Sequence, residues 1–502
     1  MILDVINNKK NITLSFLIIF FVGLGIRIFY LSPGIPLVSD GMDNFTYATA
    51  INYLGHLPTE WTPPNIGWPL FLSFWFSVFS FENTLQYMQL QKLISIVASS
   101  LTIIPIYSLC RKFFDEKLSL IGISLFIFDP RIIANSLLGI TESMFILLGI
   151  TSLVTFLKYD RKWIILSFIC AGFTSIIRAE GIFIFFTLII LFLIKYRISK
   201  EVLKTLIPCL LIFFMILTPV MYYKIEVTGN DAMFQRVAYG TNQILINNQE
   251  DNNEILKGIE LFIKYLGWIM IPTFVIFVPY GIYEYFKRDI KDKNFIIVYL
   301  IVVSFPILYA YIMQAQDTRY LYILYPIFSL LSLFAVKKYI SKISNKKVIL
   351  SILVIGIFSS SIGFYEFKNS DYKNEIELNE IAKIVSNNVK GLNYHPLETK
   401  YIRAAEIPND WPFIFKEENY EIKIIPTDNY QDLEEYILNS KDELTHLIVD
   451  DNTELPEFLQ EIYYNYHEYQ YLQKIFDSKE NGFDYHIILF EINFEEFNSK
   501  GK

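Results

Sequence analysis

Eleven apolar stretches alternate with short polar loops between residues 12 and 364, and every second loop is basic. The stretches are 12–31, 87–110, 117–129, 139–157, 162–177, 181–196, 203–222, 259–283, 294–313, 320–336 and 347–364. The basic loops are Lys9-Lys10, Arg111-Lys112, Lys158 to Lys162, Lys195 to Lys204, Lys287 to Lys293 and Lys337 to Lys347. Roughly 20 apolar residues cross a bilayer as helix, and loops rich in Lys and Arg stay in the cytoplasm. The pattern therefore predicts an α-helical polytopic membrane protein of about eleven transmembrane helices. The N-terminus is expected inside and the C-terminus outside. The first stretch has no small-residue cleavage site, so it reads as a retained anchor.

The remaining loops are poor in Lys and Arg and carry Asp and Glu, so the carboxylates gather on the outer side. At 53% hydrophobic residues the chain is too apolar for an ordinary soluble enzyme. The formal charge of −8 hides two opposite parts. Residues 366–502 carry 29 acidic and 13 basic side chains, whereas the remainder is net basic. That acidic tail alternates strand-like runs (421–425, 446–449, 485–490) with helix-like ones (376–389, 432–438, 455–463), which predicts a soluble extracytoplasmic α/β domain over 366–502. The membrane part is 1–365. With no basic patch in the soluble part, no nucleic acid partner is expected. Three cysteines and five histidines, without CxxC or HExxH, form no zinc pattern.

Residues 32–86 make a long first outer segment. Asp43 to Leu54 reads as an amphipathic helix on the membrane surface. Trp68 to Phe79 is apolar but short, and counting it as a span would put the basic loops outside, so it reads as interfacial or re-entrant. The Asn-rich outer segment 223–258 reads as a mobile loop or as one that gates access of an acceptor.

An ionisable side chain within a bilayer costs about 2.5–3.5 kcal/mol on insertion scales and usually faces a cavity or partner. Arg27, Asp129, Arg131, Glu142, Arg178, Glu180, Asp317 and Arg319 lie at the outer ends of predicted helices. Local pairing would explain Asp129 with Arg131, Arg178 with Glu180 and Asp317 with Arg319. As a set, they predict a polar cavity holding an anion together with a cation or sugar. Ser39-Asp40-Gly41-Met42-Asp43-Asn44-Phe45-Thr46-Tyr47 places two carboxylates three residues apart at a helix entrance. They can cap that helix, serve as general base toward an acceptor hydroxyl, or hold a divalent cation.

The order of these features resembles the GT-C superfamily of membrane glycosyltransferases, which includes protein O-mannosyltransferases, aminoarabinose transferases and oligosaccharyltransferase catalytic subunits. The resemblance rests on Asp40-Gly41-Met42-Asp43 followed by Tyr47-Ala48, Gly67-Trp68-Pro69-Leu70-Phe71, Asp129-Pro130, Thr141-Glu142, Arg178-Ala179-Glu180-Gly181, and Arg319-Tyr320 before Pro326. It covers about residues 12–364. Many members have adjacent Asp-Glu in the first loop, whereas this chain has Asp43-Asn44 with Asp40 upstream, so either Asp is a candidate base. The oligosaccharyltransferase Trp-Trp-Asp motif is absent from 366–502. Transfer of a single sugar is therefore expected.

The resemblance implies a polyprenyl-phosphate sugar as donor and a protein, lipid or glycan as acceptor, with the bilayer as surroundings and no nucleotide cofactor. It implies Asp40 or Asp43 as base, Arg178 and Arg319 with Arg131 at the donor phosphate, and Glu142, Tyr47 and Glu180 at the substrate. Asp43 and Glu142 become candidate ligands of Mg or Mn. Two other readings fit the topology: an outer-leaflet polysaccharide polymerase or ligase, and a lipid or solute transporter.

Overall fold

The structure is a computed structural model. It describes all residues except 1, 38–39, 59–62, 64, 82–83, 197–199, 230–253, 289–291, 341–345, 369–372, 387–388, 394–422, 426, 428–429, 452–454 and 501–502. Most of the expected loop 223–258 lies outside the described residues.

Two compact units result. The first comprises 1–31, 64–68 and 92–369, and the second 32–63, 69–91 and 370–502. Each of the eleven apolar stretches forms helix. Among the described residues, seven helices are long and apolar enough to cross a membrane, or up to nine if each of two bent pairs is one span. The chain is a multi-pass membrane protein.

The helices are α1 (Ile2–Tyr30), α2 (Asp40–Leu54), α3 (Gly67–Val78), α4 (Thr84–Leu101), α5 (Ile103–Phe113), α6 (Glu116–Ile127), α7 (Pro130–Ser136), α8 (Glu142–Phe156), α9 (Arg161–Ile177), α10 (Ile182–Tyr196), α11 (Lys200–Thr228), α12 (Glu254–Met270), α13 (Phe274–Lys287), α14 (Lys293–Ile312), α15 (Tyr325–Ile340) and α16 (Lys346–Lys368). Stretches 139–157 and 162–177 become α8 and α9, of 15 and 17 residues, at or below the lower limit for a full crossing. Stretch 259–283 is not one rod: α12 and α13 meet at 111°. Pro272, which cannot donate a backbone hydrogen bond, lies at this break. Between α6 and α7 the bend is 56°. There Asp129 caps α7 by accepting the Arg131 and Ile132 N–H groups, with Pro130 in the first helical position.

Burial sorts the spans into core and rim. The apolar window within 318–340 is 89% buried, against 22% for 11–30, 22% for 203–227 and 11% for 348–367. Thus α15 is the interior helix, and α1, α11 and α16 present Leu14, Phe21, Leu211, Met215, Ile352 and Ile355 outward, as lipid-facing helices do. Helix α15 packs against α13, where a Cβ on Gly281 would collide with the Leu331 carbonyl. On the basic side, Lys112 pairs with Asp292 at 3.0 Å and donates to the Leu157 carbonyl at 2.6 Å, tying three helix ends together.

In the second unit, α2 and the 69–78 part of α3 meet through Phe45 and Phe76, whose ring centroids are 5.6 Å apart. Twelve residues of α3 rise about 18 Å, too little to cross a bilayer. Among the described residues of 370–502 is a five-stranded sheet in the order β2-β1-β3-β5-β4, from β1 (Gly391–Leu392), β2 (Lys423–Ile424), β3 (His446–Asp450), β4 (Leu472–Asp477) and β5 (Ile487–Ile492). Strand β1 runs parallel to β2 and β3, and β5 runs antiparallel to β3 and β4. Further helices are α17 (Lys373–Ser386), α18 (Leu433–Ser440), α19 (Glu457–Asn465) and α20 (Phe494–Lys500). Leu447, Val449 and Phe490 of the sheet share a core with Tyr436 and Leu459 of α18 and α19.

Gly281→Ala should lower the thermal unfolding midpoint in detergent, because overpacking typically costs about 1–3 kcal/mol. Gly356→Ala, whose Cβ would meet nothing within 4 Å, should leave it unchanged or raise it slightly.

Candidate active site

Three helix junctions of the first unit converge on one pocket. It is lined by Glu142, Arg178, Glu180, Arg319 and Tyr320, over a floor that includes Phe145, Pro306 and Ile323. Glu142 opens α8, in the first turn where a carboxylate is favoured by the helix dipole. Arg178 ends α9 in extended conformation and leads into a 3₁₀ turn, Ala179–Gly181. Arg319 stands in a second 3₁₀ turn, Thr318–Leu324, capped by Asp317.

Arg178 is the hub. Its Nη1 lies 2.5 Å from Glu142 Oε1 and 3.2 Å from Thr141 Oγ1, and its Nη2 lies 3.0 Å from Glu180 Oε1. The Thr141 hydroxyl donates to Glu142 Oε2 at 3.3 Å. Arg319 Nη1 is 4.0 Å from the Glu142 oxygen that Arg178 holds. Asp317 accepts the Arg319 backbone N–H at 2.8 Å and its Nε at 2.6 Å. The rings of Phe145 and Tyr320 lie 5.6 and 5.7 Å from the Arg178 guanidinium carbon, within cation–π range.

The backbone around this hub leaves no room for adjustment. A Cβ on Gly181 would stand 2.5 Å from the Ser175 nitrogen, and one on Gly67 2.7 Å from the Ile176 carbonyl. Asn65 Oδ1 accepts the Ala179 N–H at 3.1 Å, and the buried Trp68 indole donates to the Gly139 carbonyl at 3.0 Å. Residues 65–68 thus wedge between the turn before α8 and the turn after α9. This gives Gly67-Trp68 and the glycine of Arg178-Ala179-Glu180-Gly181 their physical reason.

The expected single cluster of eight charges is two. Glu142, Arg178, Glu180 and Arg319 line the pocket, with Asp317 behind Arg319. Arg27, Asp129 and Arg131 are buried elsewhere in the unit and do not line it. Arg27 donates to the Gly23 and Ile127 carbonyls, each at 2.9 Å. Arg131 donates to the Trp268 carbonyl at 2.9 Å, with the Trp268 and Phe364 rings 5.3 Å away. Asp129 accepts backbone N–H groups, so the expected Asp129–Arg131 side-chain pair is replaced by a helix cap.

In the second unit, α2 begins at Asp40, three residues before the expected start. Asp40 and Asp43 therefore share its first turn, and both are exposed. The side-chain amide of Asn44 donates to the Asp40 carbonyl. The Gln91 amide donates to the Gly41 carbonyl at 2.8 Å, and the Gln89 amide to the Ile35 carbonyl at 3.0 Å, anchoring the start of α2 to α4. Tyr47 is fully buried. Gln91 carried no pattern that marks an anchor, and Trp68 stood out only as part of Gly67-Trp68-Pro69-Leu70-Phe71. Lys92 did carry a signal, an ammonium within the apolar run 87–110, and it is buried in α4.

Of the two expected metal ligands, Glu142 lines the pocket of the first unit and Asp43 belongs to the second unit. Among the described residues, no three His, Cys, Asp or Glu side chains gather as metal ligands. Glu142 already spends one oxygen on Arg178 and the other on Thr141.

Residues 62–223 match the model of the dolichyl-phosphate-mannose-protein mannosyltransferase family. No curated protein matches by sequence. By structure, the chain is similar to ArnT from Cupriavidus metallidurans bound to undecaprenyl phosphate, with a TM-score of 0.61 and 10% identity over 97% of this chain and 98% of that one. It is also similar to the Archaeoglobus fulgidus oligosaccharyltransferase in complex with Zn and sulfate, with a TM-score of 0.54 and 12% identity over 92% and 71%. A structure of the Archaeoglobus fulgidus enzyme AglB with an inhibitory peptide and a dolichol-phosphate matches with a TM-score of 0.51 and 12% identity over 88% and 70%. The fold is that of the GT-C membrane glycosyltransferases. The family-model match includes Glu142, Arg178 and Glu180 of the pocket and stops short of Arg319 and Tyr320.

Gly67→Ala and Gly181→Ala should each loosen the Arg178 turn. The expected readout is faster amide hydrogen exchange across 174–181 in the purified full-length protein, with exchange in the 446–492 strands unchanged.

Proposed function

We propose that the chain is an inverting glycosyltransferase that moves one sugar from a polyprenyl-phosphate donor to a hydroxyl of a protein, lipid or glycan acceptor on the outer face of the membrane. The observation that carries this reading is the pair of guanidiniums, Arg178 and Arg319, converging on one pocket of a GT-C fold. Solved proteins of similar fold hold undecaprenyl phosphate or dolichol-phosphate, and a lipid phosphate fits what this pocket offers. The N-terminus lies in the cytoplasm and residues 366–502 lie outside, as the basic loops indicate.

In the reaction, the acceptor hydroxyl gives its proton to the carboxylate of Asp40 or Asp43. Its oxygen bonds to the anomeric carbon as the bond from that carbon to the phosphate oxygen breaks on the opposite face. The electron pair leaves with the lipid phosphate. Negative charge grows there, and Arg178 and Arg319 are the donors that stabilise it. Glu142 keeps both guanidiniums aimed at the pocket. No step is assigned to a metal.

The test is transfer by the purified full-length protein, offered a monophosphate and a diphosphate sugar lipid in parallel. Turnover is expected with the monophosphate. Use of the diphosphate alone favours a polymerase or ligase. Asp40→Asn or Asp43→Asn should abolish transfer in a folded, inserted protein, while Arg178→Gln and Arg319→Gln should each reduce it by about 10²–10³-fold. Normal turnover in both Asp variants and their double would refute the base assignment.

A further inference from the structure

Arg131 is buried in the first unit outside the pocket, and a charge in a membrane helix needs a reason. Its Nη2 donates to the Trp268 carbonyl at 2.9 Å. In an unbroken helix that carbonyl would accept the N–H of residue 272, but Pro272 has none. From the main chain it receives the Ile271 N–H at 3.3 Å, a long bond. The next carbonyl, of Ile269, accepts the Tyr325 hydroxyl at 2.9 Å. Carbonyls freed at a helix break in a membrane have to find donors on neighbouring segments. Here the donors are Arg131 of α7 and Tyr325 of α15.

Tyr325 directly follows the Thr318–Leu324 turn that carries Arg319. Its ring also packs on Phe274 at the start of α13, with centroids 5.4 Å apart. The other end of the turn is tied to α12 as well. The Tyr311 hydroxyl donates to the Asp317 carbonyl at 3.0 Å, and the Tyr311 ring lies 5.3 Å from that of Tyr265 in α12. The Arg319 turn is thus held at both ends against α12, and Arg131 ties α12 to α7, the short helix that precedes α8 and Glu142. We propose, building on the donor-phosphate reading of Arg319, that Arg131 is a positioning residue for that guanidinium. By gripping the Trp268 carbonyl it holds the α12–α13 break, and with the break the Arg319 turn, in place beside Glu142 and Arg178. It touches neither donor nor acceptor.

The side chain suits a brace. The Trp268 and Phe364 rings each lie 5.3 Å from its guanidinium carbon, which fixes the group from α12 and from α16. A guanidinium presents its donors in a rigid, planar fork, so a bond from one edge also sets the orientation of the carbonyl it meets. The buried Nε of Arg131 has no hydrogen-bond partner. An arginine that leaves a buried donor unpaired is poorly chosen for stability alone, and departures of this kind gather at functional sites.

The experiment is a double-mutant cycle on the binding of undecaprenyl phosphate, titrated into the purified full-length protein in detergent micelles. Arg131→Met should weaken binding by about three- to tenfold, a fraction of what a hydrogen bond to a charged group contributes. In an Arg319→Gln background the same change should weaken it no further, whereas in an Arg178→Gln background it should act with its full factor. Damage to the fold at large would act equally in both. Tyr325→Phe, which removes one oxygen, should follow the same pattern and carries the test where Arg131→Met does not fold. Arg131→Lys, which still offers the carbonyl a donor, should bind within about twofold of the unaltered chain. A loss of equal size with and without Arg319, or no loss in either Arg131→Met or Tyr325→Phe, overturns the positioning role and leaves the donor site standing. Unchanged binding by Arg319→Gln alone overturns the donor reading of Arg319 and the positioning role with it.

Discussion

The buried ion pair between Glu142 and Arg178 is the interaction on which the site depends. The two side chains are 5% and 14% exposed and 2.5 Å apart. Taking either charge out of water alone would cost several kcal/mol, so each requires the other. Together they fix the start of α8 to the end of α9, and Arg319 joins them at the same carboxylate oxygen. Three segments far apart in sequence are thereby registered at one point. That both guanidiniums line the pocket is a consequence of how that buried charge is satisfied.

Backbone packing supplies what the ion pair cannot. Charges alone tolerate a range of geometries, but Gly67 and Gly181 bring main chain against main chain within a few ångström of Arg178. Asn65 and Trp68 then close hydrogen bonds to Ala179 and Gly139. The polar site therefore stands on rigid turns rather than on mobile loops. Preorganisation of this kind lets donors meet developing charge without reorganising at the moment of reaction. The interior helix α15, with its apolar window almost wholly buried, sets the position of the Thr318–Leu324 turn that carries Arg319.

The helices were legible because bilayer insertion imposes long apolar runs and a charge asymmetry that no soluble fold requires. Glu142, Arg178 and Arg319 were legible as candidates because Arg at the outer ends of membrane helices runs against the usual charge asymmetry. What the sequence withheld is geometric. Bends at 128–129 and 271–273 depend on how neighbours pack, and hydropathy averages across them. Arg27 and Arg131 carry the same sequence signal as Arg178, yet they donate to backbone carbonyls away from the pocket. Charge and position alone do not distinguish a guanidinium that serves packing from one that faces a cavity. Gln91 was invisible for the opposite reason, since an amide inside a helix has many ordinary roles.

The most direct test of the account is ³¹P NMR of undecaprenyl phosphate with the purified full-length protein. If Arg178 and Arg319 receive the lipid phosphate, its resonance shifts or broadens on addition of the unaltered chain and of Asp43→Asn. It should return to the free position when both arginines are replaced by glutamine in a folded protein. A perturbation that survives the double arginine substitution would place the phosphate elsewhere and contradict the account.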